Sequence, residues 1–425
     1  MPFSRLSIQW KITLLAGLCL LVIVTLLVAT SLYQARSSAE MVKQSSSQML
    51  EQAAQLRMQA RAEAQALEIQ RYFMDAYQYG KGFSRQVLFL RAQAEKRFLD
   101  AFDLREDMTR QVRTALEGNP DLLGLYVVFE ANALDGKDDL FVGQAELGSN
   151  DKGRFSLYWS QATAGELEAE PLSEEQLADT TAGPSGTPYN AWYTCPRDSK
   201  AACVLDPYFD DVGGKQILMT SIAFPLLLDG KVVGVMGVDI SLDSLQQLSM
   251  QAHKALYEGA GQVSIISPAG LLAGHSNDSK LLGEPLLKAF AEQGSELLDL
   301  VKRGQPAALT HSQMQRLVSP WQPIPDAKPW SVLLEVPNAV LLKPALQLEQ
   351  QLDQQSTADS AKSLVLGLVA VLLGLLLMWL TARGVTRPIL GVAAMLKDIA
   401  SGEGDLTRRL AYAKQDELGE LTGWF

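Results

Sequence analysis

The stretch Tyr189-Asn190-Ala191-Trp192-Tyr193-Thr194-Cys195-Pro196 sets two large aromatic side chains side by side in a segment otherwise rich in Gly, Pro and Ser, and a second cysteine, Cys203, follows shortly after. Trp and Tyr offer broad, rigid contact area with a polar tip, and binding residues concentrate on loops. The pair therefore reads as a pocket wall, or as two core aromatics at the start of a strand. Covalent chemistry finds no footing. His253, His275 and His311 are scattered without an HExxH or paired metal-ligand spacing, and Gly213-Gly214-Lys215 lacks the spacing of a phosphate loop and reads as a turn. No Ser or Cys sits in a nucleophile elbow. No enzyme, catalytic residue, metal or cofactor is expected.

The elements that must position this wall begin at two apolar runs. Residues 12–33 (ITLLAGLCLLVIVTLLVATSLY) and 363–382 (SLVLGLVAVLLGLLLMWLTA) carry no charge and are each long enough to cross ~30 Å of hydrocarbon as helix. The first run is longer than the apolar core of a signal peptide and continues into helix-forming sequence without a clear cleavage site, so it reads as a retained anchor. Arg5 and Lys11 precede the first span, and Arg383 and Arg387 follow the second. Positive charge thus marks residues 1–11 and 383–425 as cytoplasmic and exports residues 34–362. Cys19 lies inside the first span, whereas Cys195 and Cys203 enclose a short exported loop. An oxidising compartment and the absence of nearby His favour a disulfide there over a metal site. The net charge of −11 argues against nucleic acid as a partner.

Within the exported region, residues 34–100 have apolar positions at helical spacing and no Pro, which predicts a long helix, interrupted near Gly80 and Gly82 and able to pair with its copy in a second subunit. From Pro120 onward short β-branched runs such as LLGLYVVFEAN, QILMTSIAFPLL and KVVGVMGVDIS are bounded by Gly, Asp and Pro, with a hairpin signal at Asp229-Gly230. The expected class is α+β, a long helix followed by two α/β modules in series, a membrane-distal one over 101–248 and a membrane-proximal one over 249–345. After the second span, Pro388 is expected to start a helix that Gly402 and Gly404 end, and Asp416 to Phe425 reads as the beginning of another.

This architecture, with TRPI, GEGDLTRRL and DELGELTGWF at its end, resembles the HAMP linker of bacterial transmembrane chemoreceptors and sensor kinases, and DELGELTGWF is most like the methyl-accepting chemoreceptors. The exported region is similar to a double-Cache domain, for which GKVVGVMGVDISLDSL matches the last strand of the distal module. The resemblance implies two PAS-like Cache modules in a periplasmic region, an inner-membrane location, a homodimer, an incomplete HAMP linker over 383–425, and signalling through an adaptor to a histidine kinase. A sensor histidine kinase or diguanylate cyclase with the same sensing half stays open.

In amino-acid-binding members the ligand motif reads Arg-x-Trp-Tyr, then Tyr-x-Asp, then one further Asp in the last strand. The matching positions here are Asn190, Trp192, Tyr193, Tyr208, Asp210 and Asp239. The Arg that clamps a ligand carboxylate is replaced by Asn190, and another motif Tyr falls on Ser185. Two carboxylates among aromatic faces without a guanidinium favour a cation lacking a carboxylate, so the resemblance points to the amine-responsive branch, with polyamines or histamine as ligands. An amino-acid ligand reached by Asn190 is the alternative. Tyr158, Trp159, Glu170 and Tyr189 are further expected pocket contributors.

Overall fold

Proline-free sequence rich in Ala, Gln, Glu and Met favours helix, and in the computed structural model, which describes residues 8–401 except 164, 292 and 312, helix α1 spans Ile8–Arg97. The expected interruption at Gly80 and Gly82 does not occur. Gly80 is there for a close approach: a Cβ at this position would overlap the Phe224 ring and Val238 of the sheet beneath. The chain forms two compact units, Met1–Glu51 with Pro344–Phe425, and Gln52–Lys343.

In the first unit both helices are long and apolar enough to cross a membrane. They pack through small residues: Gly17 faces Leu375, Gly367 faces Val28 and Gly374 faces Leu20, each too close to admit a Cβ without a shift. Lys43 pairs with Glu349 at 3.6 Å and Asp353 at 3.4 Å. Pro388 does not start a helix as expected; it lies inside the helix Lys343–Ala400, which continues from the second span. The expected breaks at Gly402 and Gly404 and the segment 416–425 lie outside the described residues.

The second unit adds, after α1, helix α2 (Ala101–Glu117), strands β1 (Gly124–Phe129), β2 (Ser156–Thr163) and β3 (Glu166–Pro171), and the short helices α3 (Glu174–Ala178) and α4 (Ala191–Ser199). Strands β4 (Cys203–Val204), β5 (Tyr208–Val212), β6 (Lys215–Leu228) and β7 (Lys231–Ser241) complete an antiparallel sheet ordered β3-β2-β1-β7-β6-β4, with β5 also paired to β6. Asp229 and Gly230 both take positive φ in the β6–β7 turn, the conformation of a tight hairpin. Helix α5 (Leu242–Ala255) leads to a second antiparallel sheet of β8 (Gln262–Ile266), β9 (Leu272–His275), β10 (Ala307–His311), β11 (Met314–Trp321) and β12 (Trp330–Pro337), ordered β10-β11-β12-β8-β9. Helices α6 (Leu286–Ala289) and α7 (Gly294–Arg303) lie between β9 and β10 in the chain, and α8 (Asn338–Leu341) follows β12, ahead of α9 (Lys343–Ala400).

Strand alternation gives each sheet two faces. Leu125, Val127, Ile222, Phe224 and Val238 of the first sheet and Val332, Leu334 and Val336 of the second join one core with Ile69 and Phe73 of α1. Phe73 packs edge-on against Trp321 at 5.2 Å and at a tilt against Trp330 at 5.4 Å, while Tyr77 stacks on Phe224 at 5.5 Å. One helix therefore backs both sheets. The 130–155 loop is organised by a fully buried Arg105, whose guanidinium donates to Asp135 at 2.7 Å, Asp138 at 2.8 Å, Ser149 Oγ at 2.7 Å and the Gly153 carbonyl at 2.7 Å and lies over the Phe141 ring at 4.2 Å.

Candidate functional site

The face of the first sheet turned away from α1 carries two rows of side chains fixed by register. Ser221, Asp239, Gly124, Ser160 and Glu168 lie side by side across β6, β7, β1, β2 and β3; Ala223, Gly237, Tyr126, Tyr158 and Glu170 form the adjacent row. Two glycines clear floor space. A Cβ at Gly124 would overlap Tyr158, and one at Gly237 would overlap Tyr126, so both rings lie over backbone that carries no side chain. Tyr208 and Asp210 enter from β5, which pairs with β6 through Met219 and Ile217.

Helix α4 roofs this face. The segment around Trp192 and Tyr193 is thus a helix and not the loop expected from its composition. Trp192 meets the Tyr126 ring edge-on at 4.9 Å, and the Tyr126 hydroxyl donates to the Trp192 carbonyl at 3.0 Å. Tyr193 is buried, but its hydroxyl donates to Glu130 at 2.7 Å and accepts from Arg154 at 3.2 Å, and the Arg197 guanidinium lies over its ring. The Cys195–Cys203 disulfide ties α4 to β4.

At the centre, Ser221 Oγ donates to Asp239 Oδ1 at 2.5 Å, and the Tyr208 hydroxyl is 2.6 Å from Ser221 Oγ. The Tyr158 hydroxyl is buried beside the same carboxyl and makes no well-formed hydrogen bond. Burial pushes Asp239 up to about 7, with the Asp210 charge adding to it and the Ser221 and Tyr158 hydroxyls opposing it. Asp210 is raised to about 6 by burial and the charge of Asp211, against a backbone hydrogen bond from Asp211. Burial, then Asp210, Asp211 and Glu168, raise Glu170. Burial and these carboxylates hold Tyr126, Tyr158 and Tyr208 well above the usual phenol range. Among the described residues, no basic side chain acts on Asp239, Asp210 or Glu170. Among the described residues no three His, Cys, Asp or Glu side chains converge to hold a metal ion. The arrangement is a buried cluster of carboxyls floored by tyrosines.

The structure thus brings Tyr208, Asp210, Asp239, Tyr158, Glu170 and Trp192 onto one face, with Tyr189 beside it. A narrow cavity of about 20 Å³ lies between Tyr189, Ala191, Leu205 and Tyr208, room for about one water. Trp159 is a correction: adjacent to Tyr158 in a strand, it points to the opposite face, where it packs against the α1 core and lies under the Arg113 guanidinium. Asn190 is buried, and its Nδ2 donates to the Leu177 carbonyl at 2.9 Å, joining α3 to the start of α4. Tyr126, Ser221, Gly124, Gly237 and Glu168 escaped the sequence reading. Alternation in LYVVF would have set Tyr126 opposite Leu125 and Val127, but nothing local to Ser221 marks it as the partner of Asp239.

Residues 108–247 match the methyl-accepting chemotaxis protein-like first PDC sensor domain, and residues 380–423 match the HAMP domain. The chain is 65% identical over all 425 residues to the methyl-accepting chemotaxis protein TlpQ of Pseudomonas aeruginosa, of which it covers 60%. It is 26% identical over 326 residues to the methyl-accepting chemotaxis protein PscA of Pseudomonas syringae pv. tomato, covering 75% of this chain and 46% of PscA. The fold is similar to the periplasmic sensory domain of the Campylobacter jejuni chemoreceptor Tlp1, with TM-score 0.52 and 15% identity over 67% of this chain and 94% of that one. It is also similar to the extracellular domain of mmHK1S-Z3, named as a histidine kinase, with TM-score 0.54 and 21% identity over 69% and 98%. The two spans flank a periplasmic sensor domain in the inner membrane. With a chemotaxis-type PDC sensor, a HAMP domain and 65% identity along its whole length to TlpQ, of which it spans 60%, the chain is similar to the methyl-accepting chemotaxis receptors.

Proposed function

We propose that the chain senses a small cationic amine in the periplasm, a polyamine or a biogenic amine such as histamine, and signals through its HAMP domain to a cytoplasmic kinase-control part. The observation that carries this reading is the pair Asp239 and Asp210, both buried enough to hold protons near neutrality and, among the described residues, neither facing a basic side chain. An ammonium group supplies the missing charge and finds tyrosine and tryptophan faces around it. An amino-acid ligand is disfavoured because Asn190, the position of the family's carboxylate clamp, carries no charge and already holds the Leu177 carbonyl with its amide nitrogen.

Asp239 is buried, so the amine selects a state in which α4 and β5 stand further from the floor, and its affinity difference between the two states drives the response. Movement of β5 has a route onward. Asp206, just before β5, accepts from the Ala269 backbone N–H at 3.1 Å in the second module, and Leu218 packs against Gly283. The output is displacement of the second transmembrane helix relative to the first. A homodimer forms along α1, where Leu56, Leu67 and Phe89 are exposed on one stripe at multiples of eleven residues.

Calorimetric titration with putrescine, spermidine, histamine and a panel of amino acids tests the proposal. Amine binding that disappears in Asp210→Ala and Asp239→Ala supports it; binding of amino acids alone refutes the ligand class.

A further inference from the structure

The second sheet repeats the geometry of the first. Strand orders β5-β6-β7-β1-β2 and β10-β11-β12-β8-β9 correspond, and in both the even-handed face carrying Val238 or Leu334 packs on the α1 core. In the first sheet Asp239 is third from the end of β7, opposite Ser221 of β6 and the first residue of β1, Gly124. In the second sheet Glu335 is third from the end of β12, opposite Arg316 of β11 and the first residue of β8, Gln262. Glu335 occupies the position of Asp239, and Arg316 stands where Ser221 stands.

The carboxylate that faces no cation in the first module therefore faces one in the second. Arg316 Nε is 2.6 Å from Glu335 Oε1, with side chains 13% and 3% exposed. The Arg316 guanidinium lies 5.7 Å from the Phe290 ring, whose edge contact with His275 completes an aromatic wall. Glu335 Oε2 is buried without a partner, so the pair leaves one acceptor of the carboxylate unfilled. A second ion pair on the sheet would be ordinary; one at the register position of the ligand carboxylate, on the same face and against an aromatic ring, is a tethered copy of the ligand contact.

We infer that the Arg316 side chain is a built-in surrogate ligand: its guanidinium fills, in the membrane-proximal module, the cation site that the membrane-distal module leaves open. The second module is thereby held in an occupied form, and removing the guanidinium creates a site for a free guanidinium or amine cation. The comparison with a ligand rests on the amine reading of Asp239; the surrogate contact itself rests on Arg316 and Glu335.

The test uses the full chain in lipid nanodiscs in an Asp239→Asn background, which silences the distal carboxylate. Arg316→Ser, the residue at the equivalent distal position, should lower Tm by roughly 5–10 °C, and low-millimolar methylguanidinium should restore at least half of that loss. The Arg316 parent and Arg316→Ser/Glu335→Gln should not respond. If Arg316→Ser is recovered unfolded, methylguanidinium present during refolding should return it to the folded pool. No methylguanidinium response in Arg316→Ser, folded or refolded, overturns the inference, as does an equal response in the double variant. Failure of putrescine to bind the unsubstituted chain, with Asp239 intact, alongside methylguanidinium rescue of Arg316→Ser would sink the amine reading and leave this inference standing.

Discussion

Ser221 donates a 2.5 Å hydrogen bond to Asp239 across the β6–β7 pair, and that hydroxyl is the only protein group hydrogen-bonded to the carboxyl among those described. A buried carboxylate so poorly compensated penalises the folded state once it ionises. Asp239 keeps its proton to about pH 7 in the fold and to about pH 4 when unfolded, so stability present below pH 4 is lost as pH rises through 7. Without ligand, the parent should lose a few kcal/mol more between pH 4 and 8 than Asp239→Asn. Scanning calorimetry across that range checks it, and equal pH slopes would contradict it.

The two glycines of YGKGF should behave oppositely. Gly80→Ala drives a methyl into Phe224 and Val238, costing about 1–3 kcal/mol. Gly82 has open space around it in the same helix, and Gly82→Ala should stabilise by about 0.5–1 kcal/mol. Denaturant unfolding of both variants measures the difference.

The same pair shows what sequence conveys about this fold. Helical spacing and the absence of Pro made α1 legible, but a glycine that ends a helix and one that lets a sheet approach look alike in one dimension. The hairpin at Asp229-Gly230 was legible because its turn chemistry is local. Tyr158 and Trp159 cannot both line the pocket, because neighbours in a strand face opposite ways, and strand alternation carries that distinction in the sequence itself. Ser221 reaches Asp239 through the β6–β7 register and Tyr126 reaches Trp192 where helix α4 packs on the sheet, contacts that only the assembled fold supplies.

The Cys195–Cys203 bridge fixes the pocket roof to β4. Replacing both cysteines by serine should cost about 2.5 kcal/mol by loop-closure entropy and weaken amine binding, because α4 then carries Trp192 on a looser segment. Thermal unfolding with and without reductant should reproduce the loss in the parent and show none in the double variant.

Arg105 closes the loop around Asp135 and Asp138 from a fully buried position. Arg105→Ala leaves two carboxylates without their cation and should destabilise by about 3–5 kcal/mol. Arg105→Lys should recover only part of that, since an ammonium cannot contact Asp135, Asp138, Ser149 and Gly153 together. Chemical denaturation distinguishes the two variants, and equal stability of Lys and Arg at this position would remove the forked contact from the account.

The central claim is that a cation binds a carboxyl that is half protonated at neutral pH. Titrating the chain with putrescine at pH 7 in phosphate and in Tris, buffers of different ionisation enthalpy, measures the protons released on binding. About half a proton per bound amine should leave, mostly from Asp239, and affinity should strengthen from pH 6 to 8. Identical heats in both buffers, or affinity that weakens over that range, would contradict the account.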